Sequence, residues 1–334
     1  MGIDALAGRI VAALSTAHDA VLVRDRCGRS DLVDAVAAEC RRRGLEPVVE
    51  HVSNDRLREL VGSQSAQVLQ RWDDDRAGDS ARVTGVISLG GWPFDPTGLP
   101  AESVAAWVAA ARRVEATLEQ RDLPYVVVAV PTVEVATALG MSLESLDAHV
   151  LHAIDVGPDT LLAEIEPVVR ALGAAAVIEL RTPGCALGMT RGQRPLLIDD
   201  GVVDADDMRV GATVSNLPGG SVYWTVVEES TRGDVRLTNG SVLRFDADGR
   251  VTEGPYAGER ISHLGVATNS AVGRTTGWTI VDEHRAGAVF LALGENRYMG
   301  GRNSSAINVD LLPSEPTLLA DGCVVVERGR LRPT

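Results

Sequence analysis

The side chains of this 334-residue chain best placed to do chemistry lie in its last quarter. His263 sits in Ile261-Ser-His-Leu-Gly-Val-Ala-Thr-Asn269, and downstream runs Gly300-Gly-Arg-Asn-Ser-Ser-Ala-Ile-Asn-Val-Asp310. Side chains of an extended strand alternate between its two faces, so Asn308 and Asp310 share one face while Ile307, Val309 and Leu311 fill the other. One imidazole from one segment, with a carboxylate and an amide from another, resembles the facial ligand set of mononuclear non-haem iron. A neutral amide oxygen is a poorer ligand than an imidazole, and spacing alone favours a structural role for this trio. Arg274 and Arg302 are candidates to hold a substrate carboxylate, because a guanidinium presents a bidentate fork. Phe290, Tyr298 and Trp224 suit stacking on a flat ring, and core packing accounts for them equally well.

The other histidines carry weaker signals. His149 and His152 are three apart on an expected helix and read as ordinary surface or interface residues. His284 lies in the charged run Asp282-Glu-His-Arg285 and reads as part of a solvated turn. His18 and His51 lie beside or within expected strands. The glycine pairs Gly90-Gly91, Gly219-Gly220 and Gly300-Gly301 lack the spacing of a dinucleotide fingerprint, so tight turns explain them. Cys27, Cys40, Cys185 and Cys323 are scattered without a C-x-x-C pair, the pattern of free thiols in a cytoplasmic protein.

Composition removes several chemistries. All 32 basic residues are arginine, against 46 acidic ones, for a formal net charge of −14. Without lysine the chain cannot form a Schiff base with pyridoxal phosphate, nor a phosphate-binding loop ending in Gly-Lys-Ser/Thr. The acidic balance argues against a protein that mainly wraps nucleic acid or lies on an anionic membrane surface, and the expected partner is a small-molecule substrate. No apolar run reaches the roughly 18 residues of a spanning helix, and the segment Met1 to Leu14 is unlike a signal peptide.

Two kinds of element must position these residues. Up to about Ala205, short apolar runs such as Ala20–Arg24, Arg82–Leu89 and Pro124–Val130 alternate with helical stretches such as Ser103–Glu119, which predicts a parallel sheet covered on both faces. Beyond it, alternating runs such as Ser221–Val227 and Ser241–Phe245, with turns at Asn239-Gly240 and Asp248-Gly249, predict antiparallel strands. The expected organisation is an α/β domain over 1–205 and a strand-rich α+β domain over 206–334 that carries the site.

Five ordered pieces carry a resemblance: Pro131–Ser145, Asn216-Leu-Pro-Gly-Gly220, Leu264-Gly-Val-Ala-Thr-Asn269, Ala292-Leu-Gly-Glu-Asn296 and Gly300–Asp310. Together they resemble the thermophilic metallo-aminopeptidase family of the aminopeptidase T type, from about residue 125 to the end. The resemblance implies an α/β N-terminal domain, a C-terminal domain with the metal site, and a homodimer. Carried over residue by residue, most peptidase ligands are absent. Ser221 stands at one metal-binding glutamate, His263 at a second, Phe290 at a histidine, and Asn308 at the histidine of the final His-x-Asp, with Asp310 alone retained. Two-metal peptide hydrolysis needs several anionic ligands and is not expected. The 2,5-dihydroxypyridine 5,6-dioxygenases, a branch of the same family, bind one iron through two histidines and an aspartate, and His263 matches the first of those histidines.

The resemblance thus implies a metal-dependent oxidoreductase of the ring-cleaving dioxygenase kind, acting on a small aromatic or heteroaromatic acid. His263 and Asp310 would be catalytic, and one divalent metal, Fe(II), would sit on His263, Asn308 and Asp310. Ser221, Arg274, Phe290, Tyr298 and Arg302 would contact substrate. Two alternatives stay open. One is a metal-free hydrolase or transferase using His263 and Asp310 as an acid–base pair; the other is a non-catalytic binding subunit.

Overall fold

The structure, a computed structural model, describes every residue except 91–93, 95, 120, 306 and 333–334. Gly91 of the first glycine pair and residue 306 of the last motif therefore lie outside the described residues. The chain forms two compact units, one of residues 1–155 with 202–208 and 213–217, the other of 156–201, 209–212 and 218–334.

The first unit is built on a five-stranded parallel sheet of β1 (Ala20–Asp25), β2 (Glu46–His51), β3 (Gly85–Gly90), β4 (Tyr125–Ala129) and β8 (Val214–Leu217), in the order β2-β1-β3-β4-β8. Every residue of β1 and β3 is buried, as befits strands covered on both faces. α1 (Ile3–Ala12) precedes β1, and between the strands run α2 (Ser30–Arg42), α3 (Asn54–Ser63), α4 (Ala66–Arg82), α5 (Ala101–Glu119), α6 (Val133–Ala138) and α7 (Leu143–Ile154). Thr132 and Ser142 cap α6 and α7 by accepting the Val135 and Ser145 N–H groups, which satisfies donors that the first helical turn leaves open.

The second unit starts with α8 (Pro158–Leu172) and has two antiparallel sheets. One takes β5 (Val177–Thr182), β6 (Cys185–Thr190), β10 (Arg232–Arg236), β11 (Val242–Phe245), β15 (Thr317–Ala320), β16 (Cys323–Glu327) and β17 (Arg330–Leu331), in the order β11-β10-β6-β5-β15-β16-β17. The other has the order β14-β13-β12-β9-β7, from β7 (Leu197–Asp199), β9 (Ser221–Thr225), β12 (Ile261–Ala267), β13 (Val289–Gly294) and β14 (Asn308–Leu311). The parallel-sheet α/β class and the strand-rich class are as the sequence predicts, but residues 156–201, expected in the α/β domain, fall in the second unit because β5, β6 and β7 pair with its antiparallel strands.

Register in this last sheet divides its residues by parity. Val222, Trp224, Leu264, Val266, Leu291 and Leu293 share a core with Leu161, Ile165, Val168 and Leu172 of α8 and with Ile178, Leu180, Val235 and Leu318 of the other sheet. The opposite parity carries the polar and aromatic residues. Thr225, His263, Ala292 and Asp310 form one row across four strands, and Leu197, Tyr223, Gly265 and Phe290 form the next.

Candidate functional site

The face of that sheet turned away from the core brings together most of the expected site. His263 on β12 and Asp310 on β14 flank Ala292 of β13. Because Ala292 ends at its methyl group, the two longer side chains meet across it, with His263 Nε2 3.5 Å from Asp310 Oδ1. The imidazole is nearly buried, 10% exposed, and the carboxylate is 37% exposed. In the next row Gly265 has no side chain, and any Cβ there would fall inside the Phe290 ring. That ring closes on His263 edge-on, with centroids 5.9 Å apart, and Tyr223 stands at 5.6 Å on the other side. Tyr223 and Phe290 pack with Leu197, Ala212 and Met299, and Tyr298 lies against the same cluster.

The remaining expected residues lie apart from the dyad in role or position. Asn308 is on the same face of β14 as Asp310, but its amide Nδ2 donates to the Tyr298 hydroxyl at 2.8 Å. Ser221 is fully buried in β9, opposite Ala267 and Asp199. The Arg302 guanidinium donates to Glu228 (3.2 Å) and Glu229 (2.7 Å), and Arg274 is exposed in the segment after β12. Of the two readings open for Trp224, core packing holds: its parity turns it into the core, where it is 0% exposed. Tyr223 occupies the site face instead, and the alternation of Ser221-Val-Tyr-Trp-Thr225 with Val222 and Trp224 inward contained that signal.

A second correction concerns the run Asp282-Glu-His-Arg285. Asp282, Glu283 and His284 are buried, not part of a solvated turn. Asp282 holds the Thr276 and Gly277 N–H groups at 2.7 Å each, closing the short helix α10 (Thr279–Asp282), which follows α9 (Ala205–Val210) in chain order. His284 Nε2 lies 3.6 Å from Glu283 Oε1, and its Nδ1 lies 4.0 Å from Asp199 Oδ2 on β7. These are ion-pair separations, and among the described residues neither ring nitrogen has a partner within hydrogen-bond distance. Burial, reinforced by the charge of Asp310, pushes the Glu283 carboxyl up to about 7, against the opposing pull of His284 and His263. Burial disfavours charge on His284, yet Glu283, Asp199 and Asp310 outweigh it and raise the ring above its ordinary value. Glu283 and Asp310 therefore interact electrostatically, which places the buried cluster in the field of the dyad.

Taken as metal donors, these residues make a weak set. His263 Nε2 and Asp310 offer two donors, and the third position belongs to an amide already bonded to Tyr298. Among the described residues no group of three or more His, Cys, Asp or Glu side chains is gathered as a metal site.

Two solved structures share this architecture over nearly the whole chain. AmpT from Thermus thermophilus aligns with a TM-score of 0.69 at 18% identity, covering 98% of this chain and 98% of its own. A 2,5-dihydroxypyridine dioxygenase from Pseudomonas putida KT2440 aligns with a TM-score of 0.58 at 12% identity, covering 99% of this chain and 97% of its own. At these identities the likeness is one of fold. Among curated proteins, the sulfur carrier protein FdhD of Streptomyces avermitilis is 33% identical over 136 residues. That stretch is 39% of this chain and 43% of the relative, so the chain spans less than half of that protein's length. No protein-family profile matches the chain.

Proposed function

We propose that the chain is an enzyme whose reaction centre is the His263–Asp310 dyad, and that it acts on a small aromatic or heteroaromatic acid by proton transfer. The observation that carries this reading is the dyad itself, a nearly buried imidazole 3.5 Å from a partly exposed carboxylate, with Tyr223 and Phe290 beside the imidazole. His263 takes a proton from the bound molecule, and Asp310 stabilises the imidazolium that results. The two rings flank the substrate's flat face. Arginine is the only permanently cationic side chain in the chain, so Arg274 or Arg302 meets the substrate carboxylate, with Arg302 exchanging part of its hold on Glu228 and Glu229. With its four free cysteines, the protein fits a reducing, cytoplasmic compartment, and a homodimer belongs to the same reading.

A second reading, a ring-cleaving dioxygenase using Fe(II), is favoured by the likeness to the dihydroxypyridine dioxygenase. Its third donor is the Asn308 amide oxygen, a weak neutral ligand whose amide nitrogen bonds Tyr298, or a group from elsewhere. One experiment separates the two. The full chain, purified without chelator, is assayed against hydroxylated pyridine and benzoic acids, with metal content and oxygen uptake measured in parallel. On the proton-transfer reading turnover survives chelation and consumes no oxygen, and His263→Ala lowers it by roughly 10²–10⁴-fold. Activity lost to chelator and restored by Fe(II) with oxygen uptake sinks that reading in favour of the second. Turnover unchanged in both His263→Ala and Asp310→Ala removes the dyad from either.

A further inference from the structure

Strand β12 does not run regularly into His263. Ile261 pairs with Leu293 and His263 with Ala292, so two steps along β12 match one step along β13 and Ser262 is the extra residue of a β-bulge. In a regular strand Ser262 and His263 would point to opposite faces. The bulge turns them to the same side, and Ser262 Oγ lies 3.1 Å from His263 Nδ1.

The bulge is itself held by buried amides. Asn296 Nδ2 donates to the Ser262 carbonyl at 3.0 Å, and Asn303 Nδ2 donates to the Ile261 carbonyl at 2.9 Å. The Asn303 N–H donates to Asn296 Oδ1 at 2.8 Å, which joins the two. Asn296 is 0% exposed and Asn303 8%. Gly301 packs so closely on the Asn296 amide that any Cβ there would overlap it. The Gly300-Gly301 pair thus belongs to this support as well as to a turn.

We infer that Ser262 is a positioning residue that fixes His263 as the Nδ1–H tautomer and so presents Nε2 as the basic nitrogen. Ser262 Oγ lies 2.7 Å from the Glu295 carbonyl oxygen, which can only accept, so the hydroxyl proton is directed there. The hydroxyl is then left as an acceptor toward Nδ1, which must carry a proton to bond it. In the neutral ring Nε2 is therefore the lone-pair nitrogen and faces Asp310 as a second acceptor, not as a donor held by it. Asp310 gains its attraction only once Nε2 has taken a proton, which suits a base whose conjugate acid is stabilised after transfer. Were Asp310 the orienting group, Nε2 would carry the proton and the basic nitrogen would be turned toward Ser262. The functional weight of this inference rests on His263 being the working base, but the tautomer is measurable without a substrate.

The test is ¹⁵N NMR of the full chain with labelled histidine at alkaline pH, where the ring is neutral, and with His263→Gln to assign the signal. The expected spectrum has Nδ1 as the protonated nitrogen and Nε2 as the unprotonated one. Ser262→Ala should invert or mix the two forms, and Ser262→Thr, which keeps the hydroxyl, should restore the wild-type pattern. A wild-type ring protonated at Nε2 overturns the inference, and this readout depends on no Ser262 variant folding. A Ser262→Ala ring that keeps the wild-type pattern overturns it too. If the tautomer is as inferred and no aromatic acid is turned over, the proposed function fails while the positioning role stands.

Discussion

Glu283 and His284 are ionisable groups buried from water, on the side of the sheet that bears the dyad. Burial raises the Glu283 carboxyl from 4.5 to about 7, so the folded chain holds this proton more tightly than the unfolded chain does. Its contribution is fully present below about pH 4.5 and is lost as pH rises toward 7. His284, whose ring is also raised, acts with the same sign. Glu283→Gln, which cannot ionise, should therefore gain on the wild type as pH rises from about 5 to 8, by up to roughly 3 kcal/mol. Urea melts of both proteins at the two pH values measure this, and parallel stability curves would show that Glu283 is not the titrating group. At this scale the sequence was partly readable. His263 and Asp310 stood out by residue type and spacing. His284 did not, because three charged neighbours make a run look solvated, and its burial comes from packing set by β7 and α10 rather than from anything local.

The last sheet explains why small residues lie between the reactive ones. Ala292 lets His263 and Asp310 meet, and Gly265 yields its space to the Phe290 ring. Gly265→Ala should force the ring aside and destabilise the protein by about 1–3 kcal/mol, the usual range for overpacking. Phe290→Ala alone should cost about 3–5 kcal/mol as a large-to-small core change. The double variant should lose clearly less than the sum, because the added methyl then enters the space the ring vacated. Denaturant unfolding of the three variants closes the cycle, and strict additivity would mean that the two positions do not share that space. At the level of elements, alternating Val-rich runs and helical periods revealed the parallel half, and glycine-punctuated alternating runs revealed the strand-rich half. The bulge at Ser262 was not legible, since a one-residue insertion shows only against the partner strand. Nor was the return of β8 to the parallel sheet beside β4, a pairing between segments far apart in the chain.

Across the whole molecule, charge is one-sided in kind as well as in amount, with 32 arginines, no lysine and a net charge of −14. Such a chain is repelled by polyanions at moderate salt. It should pass through an immobilised heparin or duplex DNA column at about 0.15 M salt, where screening still reaches roughly 8 Å, and bind an anion exchanger. Retention on either polyanion would reveal a basic patch that the net charge hides. Among the described residues, no helix is long and apolar enough to cross a membrane. The two faces of the last sheet have a consequence for descent. Core and chemistry occupy alternate positions on the same five strands, so reactive side chains can be exchanged one by one while every second residue goes on holding the scaffold. A slip of one residue in any strand would exchange both at once. A scaffold built this way is evolvable in its reaction and conservative in its shape, and similarity between such proteins persists in architecture long after it has faded from the residues that react.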